Sequence, residues 1–315
     1  MNNKKVNKSD FALPKLEVAG SRPVCRSQIF PMFSIANLAY ITWNVNPTAF
    51  TVFGLEIRWY GVLFAITFAV GYFILTKMFQ KEKKPETLVD SLLWYVVIAV
   101  VIGARLGHCL FYEPAYYLTA EHWIEILYIR DGGLASHGAA IAILLAIYLV
   151  ARKYKLAYWY LLDRLVIVVA LGGLFIRTGN LFNSEIYGHT TTLPWGFLFV
   201  RNGEVMPKHP TQIYEALSYF LLFLGLLAYY IKKDGKMKEG VSFSCFLIVC
   251  FGMRFLIEFV KENQELWEDD YVLNMGQMLS LPFILAGIVL LILSLNGKLP
   301  HRKSISAPKE AKDAQ

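Results

Sequence analysis

The residues best suited to chemistry fall in a few short clusters. The densest is Arg177-Thr-Gly-Asn180-Leu-Phe-Asn183-Ser-Glu185-Ile-Tyr187-Gly188. An arginine fork matches a phosphate bidentately, and an amide three residues on shares its helical face and can add donors beside it. Gly179 would let a backbone or headgroup approach closely. Arg254-Phe-Leu-Ile-Glu258-Phe-Val-Lys261 sets a second arginine four residues from a carboxylate. That spacing gives either an intrahelical ion pair or a second anion contact. His137, in Asp131-Gly-Gly-Leu-Ala-Ser136-His137-Gly138, is the side chain suited to moving a proton near neutral pH. Its plainer reading is a structural histidine bonded to a carbonyl.

Weaker groups accompany these. Lys208-His209-Pro210-Thr211-Gln212-Ile-Tyr214-Glu215, Gly103-Ala-Arg105-Leu-Gly-His108, Arg58-Trp59-Tyr60-Gly61 and Asn274-Met-Gly276-Gln277 each mix polar with small residues. Trp59 and Tyr60 also fit an interfacial aromatic belt. For Arg105 and His108, scaffolding and substrate contact fit equally well.

The elements that must position these groups are membrane helices. The chain of 315 residues is 56% hydrophobic and 17% charged, with a mean hydropathy of +0.44, and long apolar runs of this kind read as spans. Seven are predicted: Trp59–Thr76, Leu88–Leu110, Leu134–Val150, Leu156–Ile176, Ile213–Ile231, Val241–Val260 and Val272–Leu295. The third is the shortest. Spanning segments must satisfy their own backbone groups, so the expected fold is all-α and polytopic, with a small head made by the outer loops.

Lysine and arginine set the expected orientation. They gather at Lys77–Lys84, Arg152–Lys155, Lys232–Lys238 and Lys298–Lys303, whereas residues 112–132 and 261–271 are mainly acidic. This alternation predicts an N-terminus outside, a C-terminus in the cytoplasm and every chemical cluster on the outer side. The formal charge of +7 then reflects cytoplasmic anchoring; nucleic-acid binding is not expected. Residues 1–31 carry six lysines and arginines on the wrong side for this rule, while none occurs from Met32 to Glu56. They are expected to be a disordered basic extension, or to precede a true start at Met32. The seven-helix membrane domain is expected over 32–297, with a disordered basic tail at 298–315.

Four cysteines form no CxxC pair and look like small hydrophobes. HExxH, GxSxG and GxxxxGK[ST] are all missing from the sequence, as is any carboxylate cluster with metal-ligand spacing, so no metal or cofactor is expected. What remains is an amphiphilic chamber in the outer half of the bilayer, rich in donors for phosphate. A phospholipid headgroup is its natural occupant.

These segments resemble the bacterial prolipoprotein diacylglyceryl transferases. Arg177–Gly188 is similar to that family's Arg-x-Gly-Asn followed by Asn-x-Glu and a closing Gly. Lys208–Ala216 is similar to its basic-His-Pro-x-Gln-x-Tyr-Glu-Ala stretch, and Arg254–Glu258 and Met275–Pro282 to its last two motifs. The resemblance implies an enzyme of the bacterial inner membrane with its site facing outward. It would move the sn-1,2-diacylglyceryl group of phosphatidylglycerol to the lipobox cysteine of a prolipoprotein signal peptide, forming a thioether and releasing glycerol phosphate. It also implies catalytic roles for Tyr60, His137, Arg177, Asn180, Glu185 and Arg254. It implies phosphatidylglycerol binding by Arg177, and the expected substrate contacts beside it are Asn180, Gly188, His209, Glu258 and Gln277. Two positions depart from the family pattern: Ala139 follows Gly138 where a second glycine is common, and Cys250 and Phe251 stand where a tyrosine is common.

The chemistry agrees. A thiol attacks as thiolate from a reference pKa of about 8.5, so a base or cationic surroundings must help. Arginines in a water-poor site suit the phosphate charge that grows as the bond breaks. Glu185 or Glu258 would hold an arginine or take a proton, and His137 is the leading base. A lipid or solute transporter is the second reading. It would need broken helices near mid-membrane and related halves, whereas the polar groups here sit at helix ends.

Overall fold

The computed structural model describes residues 40–119, 121–128, 133, 135–262 and 273–299. The expected basic extension at 1–31, the start at Met32, Asp131, the acidic residues between Glu265 and Asp270, and the tail from Pro300 lie outside them.

A helix stands at each of the seven predicted spans. They are α1 (Trp59–Lys81), α2 (Thr87–Phe111), α4 (Ser136–Lys153), α5 (Tyr158–Phe182), α6 (Thr211–Lys232), α7 (Val241–Ile257) and α8 (Met275–Leu295), with a single turn, α3 (Pro114–Tyr117), after α2. Six of these are long and apolar enough to cross a membrane, α7 counted together with its extension to Val260; α4 is not among the six. The chain is a polytopic helical membrane protein.

The expectation of an all-α fold needs one correction. Among the described residues four short strands occur: β1 (Ile41–Trp43), β2 (Thr48–Val52), β3 (Leu55–Arg58) and β4 (Phe197–Phe199). β1 pairs in parallel with β4, Trp43 opposite Phe199. β2 and β3 form a hairpin whose turn residues, Phe53 and Gly54, both have positive φ, as tight hairpin turns require. Strands of 3–5 residues are too short to show an alternating pattern in sequence.

Between apolar helices in lipid, close packing replaces the hydrophobic effect, and small residues allow it. Gly103 and Gly107, four apart on α2, face Gly138 on α4 so tightly that a Cβ on any of the three would strike the opposing backbone. This contact fixes the start of α4, and with it His137, against α2. On the other side Gly179 of α5 lies against the Tyr60 ring of α1, and Gly173 against Tyr219 of α6. Phe251 of α7 stacks on Phe283 of α8 at 4.3 Å.

The apolar core sits toward the lysine-rich end, where Leu75, Phe79, Leu88, Leu92, Leu161 and Ile167 are buried together. Polar ties lock that end. Arg164 pairs with Glu82 at 2.7 Å, and buried Asp163 accepts from the backbone N–H groups of Gly240 (2.6 Å) and Phe243 (2.8 Å). A carboxylate from α5 thus caps α7, satisfying donors that a helix start leaves open.

Candidate active site

At the opposite end, α5 runs two turns past its apolar stretch before the chain turns at Asn183. Arg177 and Asn180 therefore project from one face of its last turns. They line a cavity of about 370 Å³ together with Tyr60, Val169, Gly173, Ile176, Ile186, Tyr219, Phe246 and Cys250. Four elements close around it: α1, α5, α6 and α7. Its lining mixes the polar Tyr60, Arg177, Asn180 and Tyr219 with the apolar Val169, Ile176, Ile186 and Phe246.

Arg177 is held from two sides. Its Nε forms an ion pair with Glu215 of α6, and its Nη1 donates to Asn180 Oδ1 at 3.3 Å. Asn180 donates in turn to Glu185 Oε1 at 2.7 Å, and Asn183 donates to the same oxygen at 3.1 Å. The Glu185 carbonyl accepts from Gln212 at 2.6 Å, so the loop carrying Glu185 is fastened to the first turn of α6. The guanidinium is thereby preoriented at the cavity, which reduces the cost of organising it around an anion.

The ion pairs extend beyond Arg177. Lys261 stands 3.6 Å from Glu215 and 3.4 Å from Glu258, and Glu215, Glu258 and Lys261 are all buried. Two cations and two anions alternate, so each buried charge faces its opposite. The Glu258 carboxylate also packs against Gly276, where a Cβ would collide with it, at the positive end of α8. That end is fixed by a reciprocal cap: Gln277 N–H donates to Asn274 at 2.9 Å, and Asn274 N–H donates to the Gln277 side chain at 3.2 Å.

Gly188 joins the head to this network. Its backbone pairs antiparallel with Lys261, and its α-carbon lies against the Val260 carbonyl with no room for a Cβ. Lys208 is clamped by Glu262 and, at 3.4 Å, by Glu204. Burial lowers the Lys208 pKa, but the two carboxylates outweigh it and raise the value overall. His209 bonds the Tyr214 hydroxyl at 3.1 Å. Burial first, then neighbouring His189, hold it below the usual 6.5, so it is neutral at pH 7.

Of the residues singled out from sequence, Tyr60, Arg177 and Asn180 share the cavity and Glu185 braces them. Glu258, Gln277 and Gly188 belong to the surrounding network. Arg254 lies one turn beyond Cys250 on α7, and its expected partner is taken: α7 tightens into a 3-10 turn at Glu258, whose carboxylate meets Lys261. His137 is exposed at the start of α4 and is not among the cavity's lining residues. Arg105 is a scaffold, donating to the carbonyls of Glu125 (2.6 Å) and Ile126 (3.0 Å) while its guanidinium covers the Tyr117 ring.

Glu215 and Lys261 stood in the clusters picked out from sequence without a role assigned to them, and Tyr219 was not picked out at all. Glu215 and Tyr219 are four apart on α6 and so share the face turned to Arg177. A glutamate in the first turn of an apolar helix was the available signal. Lys261 gave none, since a terminal lysine reads as an interfacial anchor.

Comparisons with known proteins give the family of this chain. The profile of the family "Prolipoprotein diacylglyceryl transferase" matches residues 47–293. The chain belongs to that family. It is 45% identical over 257 residues to the phosphatidylglycerol–prolipoprotein diacylglyceryl transferase of Tolumonas auensis, covering 81% of this chain and 98% of that one. Its identity to the protein of the same name from Chloroherpeton thalassium is 43% over 258 residues, 82% and 95% of the two chains. With the Porphyromonas gingivalis protein it is 43% over 281 residues, 84% and 99%. Every cavity residue falls inside the matched family segment.

Glu215→Gln should leave Arg177 and Lys261 short of one anion. Breaking a buried pair costs about 3–5 kcal/mol, so thermal unfolding in detergent should shift down clearly, together with loss of activity. An unchanged melting temperature would show that the carboxylate does not hold the network.

Proposed function

We propose that this chain transfers the sn-1,2-diacylglyceryl group of phosphatidylglycerol to the lipobox cysteine of a prolipoprotein signal peptide. The observation that carries the proposal is the preoriented Arg177 in a cavity that sets Tyr60, Asn180 and Tyr219 beside Val169, Ile176, Ile186 and Phe246. An arginine among polar and apolar side chains suits the headgroup end of an amphiphile. A transporter reading finds no support in a charged site at helix ends.

The reaction displaces phosphate at carbon. The cysteine thiolate attacks the diacylglyceryl CH2 that carries the phosphate ester. The C–O bond breaks, an S–C thioether forms, and glycerol phosphate leaves with the bonding pair. Arg177 takes the growing charge on the phosphate, with Arg254 adding positive potential from α7. Asn180 and Glu185 fix the direction of Arg177, and Glu258 holds Lys261 beside Glu215. Tyr60 closes the cavity on the α1 side, and His209, neutral, offers a hydrogen bond at the rim. Gly188 and Gln277 keep the head and α8 close around the network.

The thiol proton goes to His137. An exposed position at the mouth of the bundle suits a base that meets an incoming peptide. Purified protein given phosphatidylglycerol and a lipobox peptide should add the mass of one diacylglyceryl unit to the cysteine; an unmodified peptide would refute the activity. His137→Gln should lose most of this rate at neutral pH and regain part as pH rises through the free thiol's pKa of about 8.5. A loss independent of pH would leave the proton to Glu185, Glu258 or solvent.

The enzyme acts from the bacterial inner membrane with seven spans, the N-terminus and site outside, and the C-terminus in the cytoplasm, following the lysine and arginine alternation. A cysteine at position 236 should resist an impermeant reagent in intact cells, whereas one at 121 should react. Labelling at 236 would invert this topology.

A further inference from the structure

Helices α1 and α2 follow each other in sequence yet touch sparingly: α1 packs on α5, and α2 on α4. The gap between them is a cleft of about 240 Å³. Its lining comes from α1, α2, α5 and one residue of α4, and it is apolar almost throughout. Even its two hydroxyl groups are committed elsewhere. Thr67 donates to the Leu63 carbonyl at 3.0 Å, and Tyr72 donates to Asp90 at 2.8 Å.

Two features tie this cleft to the Arg177 cavity. Val169 and Ile176, both on α5, line each of them, and Arg177 follows Ile176 directly. The cleft runs down α5 from Ile176 to Leu165, which at 1.5 Å per residue is about 16 Å. One leaflet of a bilayer is about 15 Å, half of a ~30 Å core. A lipid whose phosphate meets Arg177 therefore has a chain-length apolar channel starting just below its headgroup. Leu75 and Val89 close the channel at the far end, where both are buried.

We infer that the α1–α2–α5 cleft holds one acyl chain of the donor lipid, and that Gly71 sets how long a chain it accepts. This rests on the diacylglyceryl transfer proposed above. Gly71 lies in the lower part of the cleft, opposite Val168. A Cβ there would stand 3.6 Å from Val168, an ordinary contact. A first carbon fits, and a larger side chain extends into the channel and shortens it from below. The upper part, walled by Phe64, Val100 and Ile176, stays open.

The test compares phosphatidylglycerol carrying eight-carbon chains with phosphatidylglycerol carrying sixteen-carbon chains. Gly71→Leu should hold its rate with the short donor and lose ~10-fold or more with the long one. Val96→Phe, narrowing the channel from α2, should shift the preference in the same direction and serves if Gly71→Leu folds poorly. Ile288→Phe, on the exposed face of α8, should change neither. Equal losses with both donors, or no change with either, in folded variants would overturn the inference. A long-chain phosphatidylglycerol with a photoreactive group at its chain end gives a readout independent of turnover. Cross-links within residues 67–75 and 89–96 would support the cleft even if transfer failed, and that failure would count against the activity alone. Cross-links spread over all lipid-facing helices would overturn it.

Discussion

The outer end of this bundle depends on a buried alternation of charge: Arg177, Glu215, Lys261, Glu258. Charges at membrane depth are costly, and only pairing makes them tolerable. Here the pairing also does geometric work. Arg177 comes from α5, Glu215 from α6, and Glu258 and Lys261 from the end of α7, while the Gly276 turn of α8 packs on Glu258. One network thus joins four helices where the apolar core is thinnest, and sets the guanidinium at the mouth of a cavity. Removing Glu215 would leave Arg177 without its buried carboxylate partner and Lys261 with Glu258 alone.

Small residues make the network reachable. Gly179 admits the Tyr60 ring, Gly173 admits Tyr219, and Gly188 lets the loop after α5 pair with Lys261. The lysine-rich end is built the other way. Its large apolar core and the Asp163 cap on α7 hold it rigid, which leaves the outer end free to be polar. Between the two ends the loosely joined α1 and α2 leave a channel the length of one leaflet. The Arg177 cavity and this channel share Val169 and Ile176, so the two adjoin along α5.

Much of this was legible in the sequence because lipid imposes simple rules. Helix positions followed from apolar runs, and the Arg177–Gly188 segment stood out because so many polar groups seldom crowd the end of a span. Pairing was not legible. Arg254 and Glu258 have ideal helical spacing, yet α7 tightens at Glu258 and turns that carboxylate to Lys261. Glu215 is the true partner of Arg177, across 38 residues of sequence, and no local pattern announces a contact between two helices. The strands escaped for a similar reason: β1 finds β4 across more than 150 residues. His137, chosen for its side chain, lies exposed on the α2–α4 side, where only packing between glycines could have located it.

The central claim is that Arg177 acts as an oriented fork and not merely as a positive charge. Arg177→Lys keeps the charge and can still pair with Glu215, but cannot present two parallel donors to a phosphate. The direct measurement is the rate of diacylglyceryl transfer by this variant under saturating phosphatidylglycerol, with its melting temperature confirming the fold. The account predicts a fall of ~10²-fold or more. Near-wild-type turnover in Arg177→Lys would contradict it.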